Sequence, residues 1–246
     1  MAERDTSSSM ETSDYVGQDL EALADIPNYQ RWILSHFRPY LHGRVLEIGA
    51  GVGTLSARYR DAVDESTLLE PAPNLIGQLE QKFSGDRGVT VVGKHLDEAC
   101  ADGTLVAGSF DAIVLINVLE HVDDDAAMLE QIHRLLVPGG VLLLFVPALQ
   151  WLYGSLDTLV GHRRRYVKPQ LRTLIEAAHF AIRDLRYFDA LGVLPWYVTG
   201  RVIKAKLFNE RAAKLYDTVG VPFGAFAERF AKPPIGKNLL SIAQRE

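Results

Sequence analysis

The sequence predicts an α/β protein, a mostly parallel sheet with helices packed on both faces. Three observations carry that expectation. Short apolar runs of strand length alternate with helix-period segments through most of the 246 residues. A glycine-rich turn, Gly49, Gly51 and Gly53, directly follows the first strong apolar run. The composition, 48% hydrophobic and 23% charged, suits one globular domain able to bury a full core around a sheet.

In chain order, residues 1–19 are acidic and rich in Ser and Thr, with no basic region leading into an apolar one. They are no secretory signal and read as a disordered tail, which leaves 20–246 for the domain. The candidate strands are Arg44–Ile48, Thr67–Glu70, Val89–Val92, Ala112–Ile116, Val141–Val146, Asp184–Phe188 and Asn238–Ala243. Between them, Ala126–Leu136 reads as a helix, with Met128, Ile132, Leu135 and Leu136 on one face behind a cap among Asp123 to Asp125. It stops at Pro138-Gly139-Gly140, a turn that feeds the next strand. A second helix spans Lys168–Ala178, with Pro169 in its first turn and Leu171, Leu174, Ile175 and Ala178 forming its apolar face. Residues 191–237 exceed a normal connection and form a lid-like insertion.

Composition narrows the partners. The net charge is −5, so no global basic field draws the chain to nucleic acid. The longest apolar runs are strand-sized, far short of the roughly 20 residues of a transmembrane helix. A single cysteine, Cys100, excludes an intrachain disulfide and suits a reducing, cytoplasmic setting.

The chemistry concentrates after the strands. Glycines at 49, 51 and 53 permit positive φ and let a ligand approach the backbone without a Cβ in the way. A dinucleotide site, as in an NAD(P)-dependent oxidoreductase, wants G-x-G-x-x-G/A, and Thr54 misses the third position. Glu47 separates the readings further: a carboxylate there would repel a pyrophosphate but suit a ligand carrying an ammonium and a sulfonium, as S-adenosylmethionine does. Glu70, followed by Pro71, ends the second strand 21 residues after Gly49, where an acid can accept from both hydroxyls of a ribose.

This E-x-G-x-G-x-G turn and following acid resemble class I S-adenosylmethionine-dependent methyltransferases, in particular the small-molecule group that includes ubiquinone-pathway enzymes. Phe110-Asp111-Ala112-Ile113-Val114, Asn117-Val118-Leu119-Glu120-His121-Val122 and Leu136-Val137-Pro138-Gly139-Gly140 share in the likeness, which covers roughly residues 28–190 plus the final strand. It implies a Rossmann-like sheet of seven strands whose last is antiparallel and inserts beside strand five. Carried over by position, Glu47, Gly49, Gly51 and Gly53 line the methionine half of the cofactor, and Glu70 the ribose. His95 and Leu96 follow strand three, where relatives place an acid near the adenine; His95 departs from that pattern. Asn117 and Val118 end strand four. Tyr29 and Trp32 lie in what looks like the helix that lids the cofactor, or serve as plain core aromatics.

If the acceptor is a hydroxyl, a base must take its proton, and His121 and His162 are the candidates. In the quinone enzymes, Glu and His in the 117–122 segment hold a divalent metal. Here only Glu120 and His121 of that set are evident, so no metal is assigned. His162 belongs to a Gly161-His162-Arg163-Arg164-Arg165-Tyr166 stretch that resembles a G-H-x-R-R-Y signature of bacterial methyltransferases in this group. Trp151, Tyr153, Arg164, Arg165 and Tyr166 are the candidate acceptor contacts; solvated arginines and a packing histidine are the bland alternative. Asp157 is expected to orient His162, and the arginines to keep its ring neutral. The expected activity is methylation, at oxygen, of a small-molecule or lipid- or glycolipid-like acceptor; the rival is a protein that binds the cofactor without transferring methyl. The insertion mixes Leu194, Trp196, Tyr197 and Val198 with Arg201, Lys204 and Lys206, and three uses stay open: covering the acceptor, a homodimer contact, or a peripheral membrane contact.

Overall fold

The apolar runs become seven strands in the computed structural model, which describes residues 26–207 and 209–246. They are β1 (Arg44–Ile48), β2 (Glu65–Leu69), β3 (Val89–Val92), β4 (Phe110–Ile116), β5 (Leu136–Pro147), β6 (Phe180–Phe188) and β7 (Asn238–Arg245). One sheet joins them in the order β3-β2-β1-β4-β5-β7-β6. β1 to β5 pair in parallel, and β7 runs antiparallel to both β5 and β6, so the last strand does insert beside strand five. The order reverses between β1 and β4, which opens a crevice at their carboxyl ends. The expected tail, residues 1–19, and the start of the domain at residue 20 lie outside the described residues.

β1 and β3 have the expected bounds, whereas β5 starts at Leu136 instead of Val141. The Pro138-Gly139-Gly140 turn is absorbed into the strand as an irregularity. Phe110 pairs with Leu136 and Ala112 with Val141, so the residues between loop outward, with Gly139 at φ +80°.

Ten α-helices are described: α1 (Pro27–Phe37), α2 (Ser56–Tyr59), α3 (Pro73–Lys82), α4 (Leu96–Ala101), α5 (Asp125–Leu135), α6 (Ser155–Leu159), α7 (Lys168–Ala177), α8 (Val193–Tyr197), α9 (Glu210–Leu215) and α10 (Val221–Ala227). α5 starts where Asp124 accepts from the Ala127 N–H at 2.9 Å, and it buries Leu129, Ile132 and Leu135. Strand alternation divides the core. Leu46 and Ile48 pack with α4, α5 and α7 on one face; Val45 packs with α1, α2 and α10 on the other.

The insertion is helical and docked. A π turn at Tyr216–Gly220 joins α9 to α10 as one continuous helix. Its buried Asp217 accepts from the backbone N–H groups of Asn28 (3.1 Å) and Tyr29 (2.8 Å), capping α1, whose own N-cap, Ile26, has no side-chain acceptor. Asp189, in the loop after β6, accepts from the Tyr216 hydroxyl and pairs with Lys237 at 3.0 Å.

Candidate active site

The glycine turn closes on the ends of β2 and β4. Gly49, Gly51 and Gly53 have φ of +74°, +56° and +68°. A Cβ at Gly49 would lie 2.5 Å from Val118 Cγ2, so the loops after β1 and β4 meet only because that residue has no side chain. The Gly49 and Ala50 N–H groups both donate to the Leu69 carbonyl, at 2.8 and 3.1 Å. Glu70 then reaches under the turn, where Oε2 accepts from the Gly51 N–H at 2.8 Å and Oε1 from the Ala72 N–H at 3.0 Å. Burial raises the Glu70 carboxyl above its usual value, against those two N–H groups and the nearby His95.

Glu47 turns toward the α2 face, where its Oε2 accepts from the Ser56 hydroxyl and, at 2.7 Å, from the Tyr59 hydroxyl. Burial pushes its carboxyl up to about 7, with these hydroxyls opposing the rise and Glu70 adding to it. Ser56 and Tyr59 were not singled out in the sequence; their signal is the three-residue spacing that puts both on one side of α2. Asn117 adopts φ +51° just past β4, with its N–H on the Phe145 carbonyl at 2.9 Å. Pro71, His95, Asn117 and Val118 all stand at the carboxyl edge of the parallel strands; Leu96 is in the core beneath. Tyr29 and Trp32 are both buried, and Tyr29 packs edge-on against Phe145 and Phe188 while donating to Asn238 Oδ1 at 2.9 Å. Trp32 lies on Phe188 with centroids 4.0 Å apart. Their rings are used in fixing α1 to the ends of β5, β6 and β7.

A second cluster forms where the loop after β4 meets the segment after α6. The His162 Nδ1 is 2.9 Å from Asp157 Oδ1, and Nε2 is 3.5 Å from Glu120 Oε1. Both carboxylates are fully buried. Burial alone would raise the Asp157 carboxyl, but the His162 hydrogen bond and the Arg165 charge outweigh it and hold it below its usual value. An ionised Asp157 accepts from Nδ1–H, which fixes the ring with Nε2 pointing toward Glu120. The His121 ring stands edge-on to His162 at 5.0 Å. Glu120, His121 and His162 offer ligand atoms within 4.8 Å of one another, a three-donor set that the sequence could not assemble because His162 lies 41 residues from His121.

The three arginines have separate partners. Arg163 pairs with Asp123 and Arg164 with Asp125 at 3.0 Å, whereas Arg165 meets the same Asp157 Oδ1 as His162 does, at 2.7 Å. Arg164 also donates to the Val122 and Asp123 carbonyls. Arg165 is buried, with its Nη1 on the Ala148 carbonyl at 2.9 Å and its guanidinium 4.8 Å from the Trp196 ring. Tyr166 is fully buried and donates to Asp125 Oδ2 at 2.9 Å. Arg165 and Tyr166 both brace the loop through these buried bonds. Trp151 is 50% exposed, edge-on to Tyr197 of α8, and Tyr153 donates to the His162 carbonyl at 2.7 Å.

A family model described as a methyltransferase domain matches residues 46–142. A ubiquinone biosynthesis O-methyltransferase of Xanthomonas oryzae pv. oryzae is 36% identical over 172 residues, covering 62% of this chain and 67% of the relative. The enzyme of the same name from Xanthomonas campestris pv. campestris is 28% identical over the same length. Among solved structures, Haemonchus contortus phosphoethanolamine N-methyltransferase 2 in complex with S-adenosyl-L-methionine superposes with a TM-score of 0.61 at 15% identity, covering 93% of this chain and 57% of that one. An Archaeoglobus fulgidus SAM-dependent methyltransferase gives 0.58 at 17% identity, covering 90% and 94%. These structural likenesses concern the fold.

Proposed function

Because the chain belongs to the class I S-adenosylmethionine-dependent methyltransferases, we propose that it methylates an oxygen of a small, lipid-like acceptor, with His162 taking the hydroxyl proton. S-adenosylmethionine is the cofactor and, when bound, supplies the methyl group. The residues present suit it. Two buried carboxylates and a turn held open by three glycines favour a cationic ligand with vicinal hydroxyls over a pyrophosphate. Glu70 would accept from the ribose hydroxyls, and Glu47, whose two hydroxyl partners both fall on Oε2, would set Oε1 against positive charge at the methionine end.

The observation that carries the choice of oxygen is the buried Asp157–His162 pair at 2.9 Å. Asp157 fixes the ring and stabilises the imidazolium; Nε2 accepts the proton of the acceptor hydroxyl. The O-methyltransferase names of the sequence relatives support the same reading. The test is labelled methyl transfer to a panel of phenolic and polyprenyl acceptors. His162→Ala should lower turnover roughly 10²–10⁴-fold with cofactor affinity near that of the parent. Full turnover in the variant on the true acceptor would remove His162 from the chemistry.

The three-donor set favours a second reading, in which Glu120, His121 and His162 hold a divalent cation that polarises the acceptor oxygen. Asp157 on Nδ1 would then serve as the outer-shell carboxylate that turns Nε2 toward the ion.

A further inference from the structure

We propose that the outward faces of the insertion helices dock this protein on the surface of an anionic lipid bilayer. The helix from Glu210 to Ala227 is apolar on two sides. Val221 and Gly224 are buried, the latter with the Trp32 ring 3.4 Å from where its Cβ would stand. Leu215, Val219, Phe223 and Phe226, followed by Phe230, recur at spacings of four, four, three and four, which is one stripe of a helix. That stripe faces solvent: Phe223 is 65% exposed, Phe226 58% and Phe230 77%. The α8 segment repeats the pattern, with Leu194, Val198 and Val202 each four apart and exposed. Scattered apolar side chains on a surface need no explanation, but two helical stripes in one insertion mark an interaction face.

Charge selects the occupant. Within residues 191–237, seven exposed cations, from Arg201 to Lys232, stand against one exposed acid, Glu210, in a chain of net charge −5; of the seven, Lys232 also pairs with Asp184 of β6 at 2.9 Å. The other two acids of the insertion face inward: Asp217 caps α1, and Glu228 accepts from the Ala190 N–H at 2.9 Å. A second copy seated symmetrically on the stripe would bring these cations against their own equivalents. An anionic headgroup layer satisfies both features at once, taking the phenylalanines into the acyl boundary and pairing the lysines and arginines with lipid phosphates. No helix of the described residues is long and apolar enough to cross a membrane, so docking would be peripheral. The segment is tied to the body where Ser155 donates to the Gly200 and Ala205 carbonyls, and Arg201 to the Tyr153 carbonyl at 3.0 Å.

The inference does not depend on the O-methylation reading, and its test needs no acceptor. Vesicles of phosphatidylcholine with about 30 mol% phosphatidylglycerol are floated with the protein, beside vesicles of phosphatidylcholine alone. The parent should float with the anionic vesicles, weakly with the neutral ones, and less as salt rises. Phe223→Ser, Phe226→Ser and Phe230→Ser together should abolish flotation. Lys204→Glu with Lys206→Glu should weaken anionic binding at least roughly tenfold. Unchanged circular dichroism and S-adenosylhomocysteine affinity certify the variants; Phe230→Ser alone, the most exposed position, replaces the triple variant if these change. A parent that stays off anionic vesicles, or variants that float as well as the parent, overturns the proposal. A dimer that dissociates in the phenylalanine variant, without vesicle binding, assigns the face to a second copy instead.

Discussion

Replacing Glu47 by Gln removes a buried titratable carboxyl from the end of β1 and leaves the side-chain shape. In the parent, burial raises the carboxyl from an ordinary 4.5 to about 7. Between those values the folded protein keeps a proton that the unfolded chain has released, so stability falls as pH rises through the window. The full contribution is present only below it. Integrated, the loss is about 3 kcal/mol, a large share of the stability of a domain this size. The glutamine variant should show no such slope. Between about pH 5 and 8, urea unfolding should find parent and variant converging at the acid end, with the variant gaining steadily toward the alkaline end. The cofactor reading adds a second consequence: a positive ligand beside Glu47 favours the carboxylate, so binding near pH 6 should release a proton. Calorimetric titration in two buffers of different ionisation heat measures that release, and the variant should show none. Equal pH slopes for the two proteins, with no proton released on binding to the parent, would falsify the assignment of a protonated Glu47.

Glu70→Gln should weaken cofactor affinity by about 1–3 kcal/mol, and the difference should vanish for an analogue lacking both ribose hydroxyls; equal affinity for the natural cofactor means the carboxylate serves only the Gly51 and Ala72 amides. Gly51→Val places a β-branched residue at φ +56° and should eliminate S-adenosylhomocysteine binding; a folded variant that binds like the parent removes the turn from the site. Asp157→Asn should lower kcat at least about tenfold and displace its pH profile, whereas a purely structural Asp157 would lower stability and leave the profile in place. Treatment with a chelator discriminates the two readings of His162: turnover that survives keeps Nε2 as the base, and turnover lost on chelation and restored by added magnesium or manganese makes it a ligand.

The sheet was legible because each strand is a continuous apolar run bounded by turn residues, and two runs matched to the residue. Strand five was shortened in the reading because Pro138-Gly139-Gly140 looks like an ordinary turn, and nothing local says that pairing resumes upstream at Leu136. The glycine turn and Glu70 were legible for the same local reason, since the hydrogen bond that joins them, Gly51 to Glu70, spans only 19 residues. The separate environments of the three arginines were not legible. Three consecutive cations look alike in a sequence, and only tertiary contact distinguishes Arg165, buried on Asp157, from Arg163, which is half exposed. The third member of the Glu120–His121–His162 cluster and the Asp217 cap share that limit, because both depend on long-range neighbours.

The Asp217 cap also bears on the sequence of events in folding. α1 is made early, yet the carboxylate that satisfies its first turn arrives 189 residues later, and the Tyr29 hydroxyl waits 209 residues for Asn238. Contacts of such separation carry a large loop-closure cost and form slowly. A nascent chain can therefore assemble the parallel strands while α1 is still unfastened, with Tyr29, Trp32 and Phe37 uncovered. Closure of that helix records that the last strand and the insertion have emerged and docked. Amide exchange in α1 should thus report completion of the whole chain, not local helix formation.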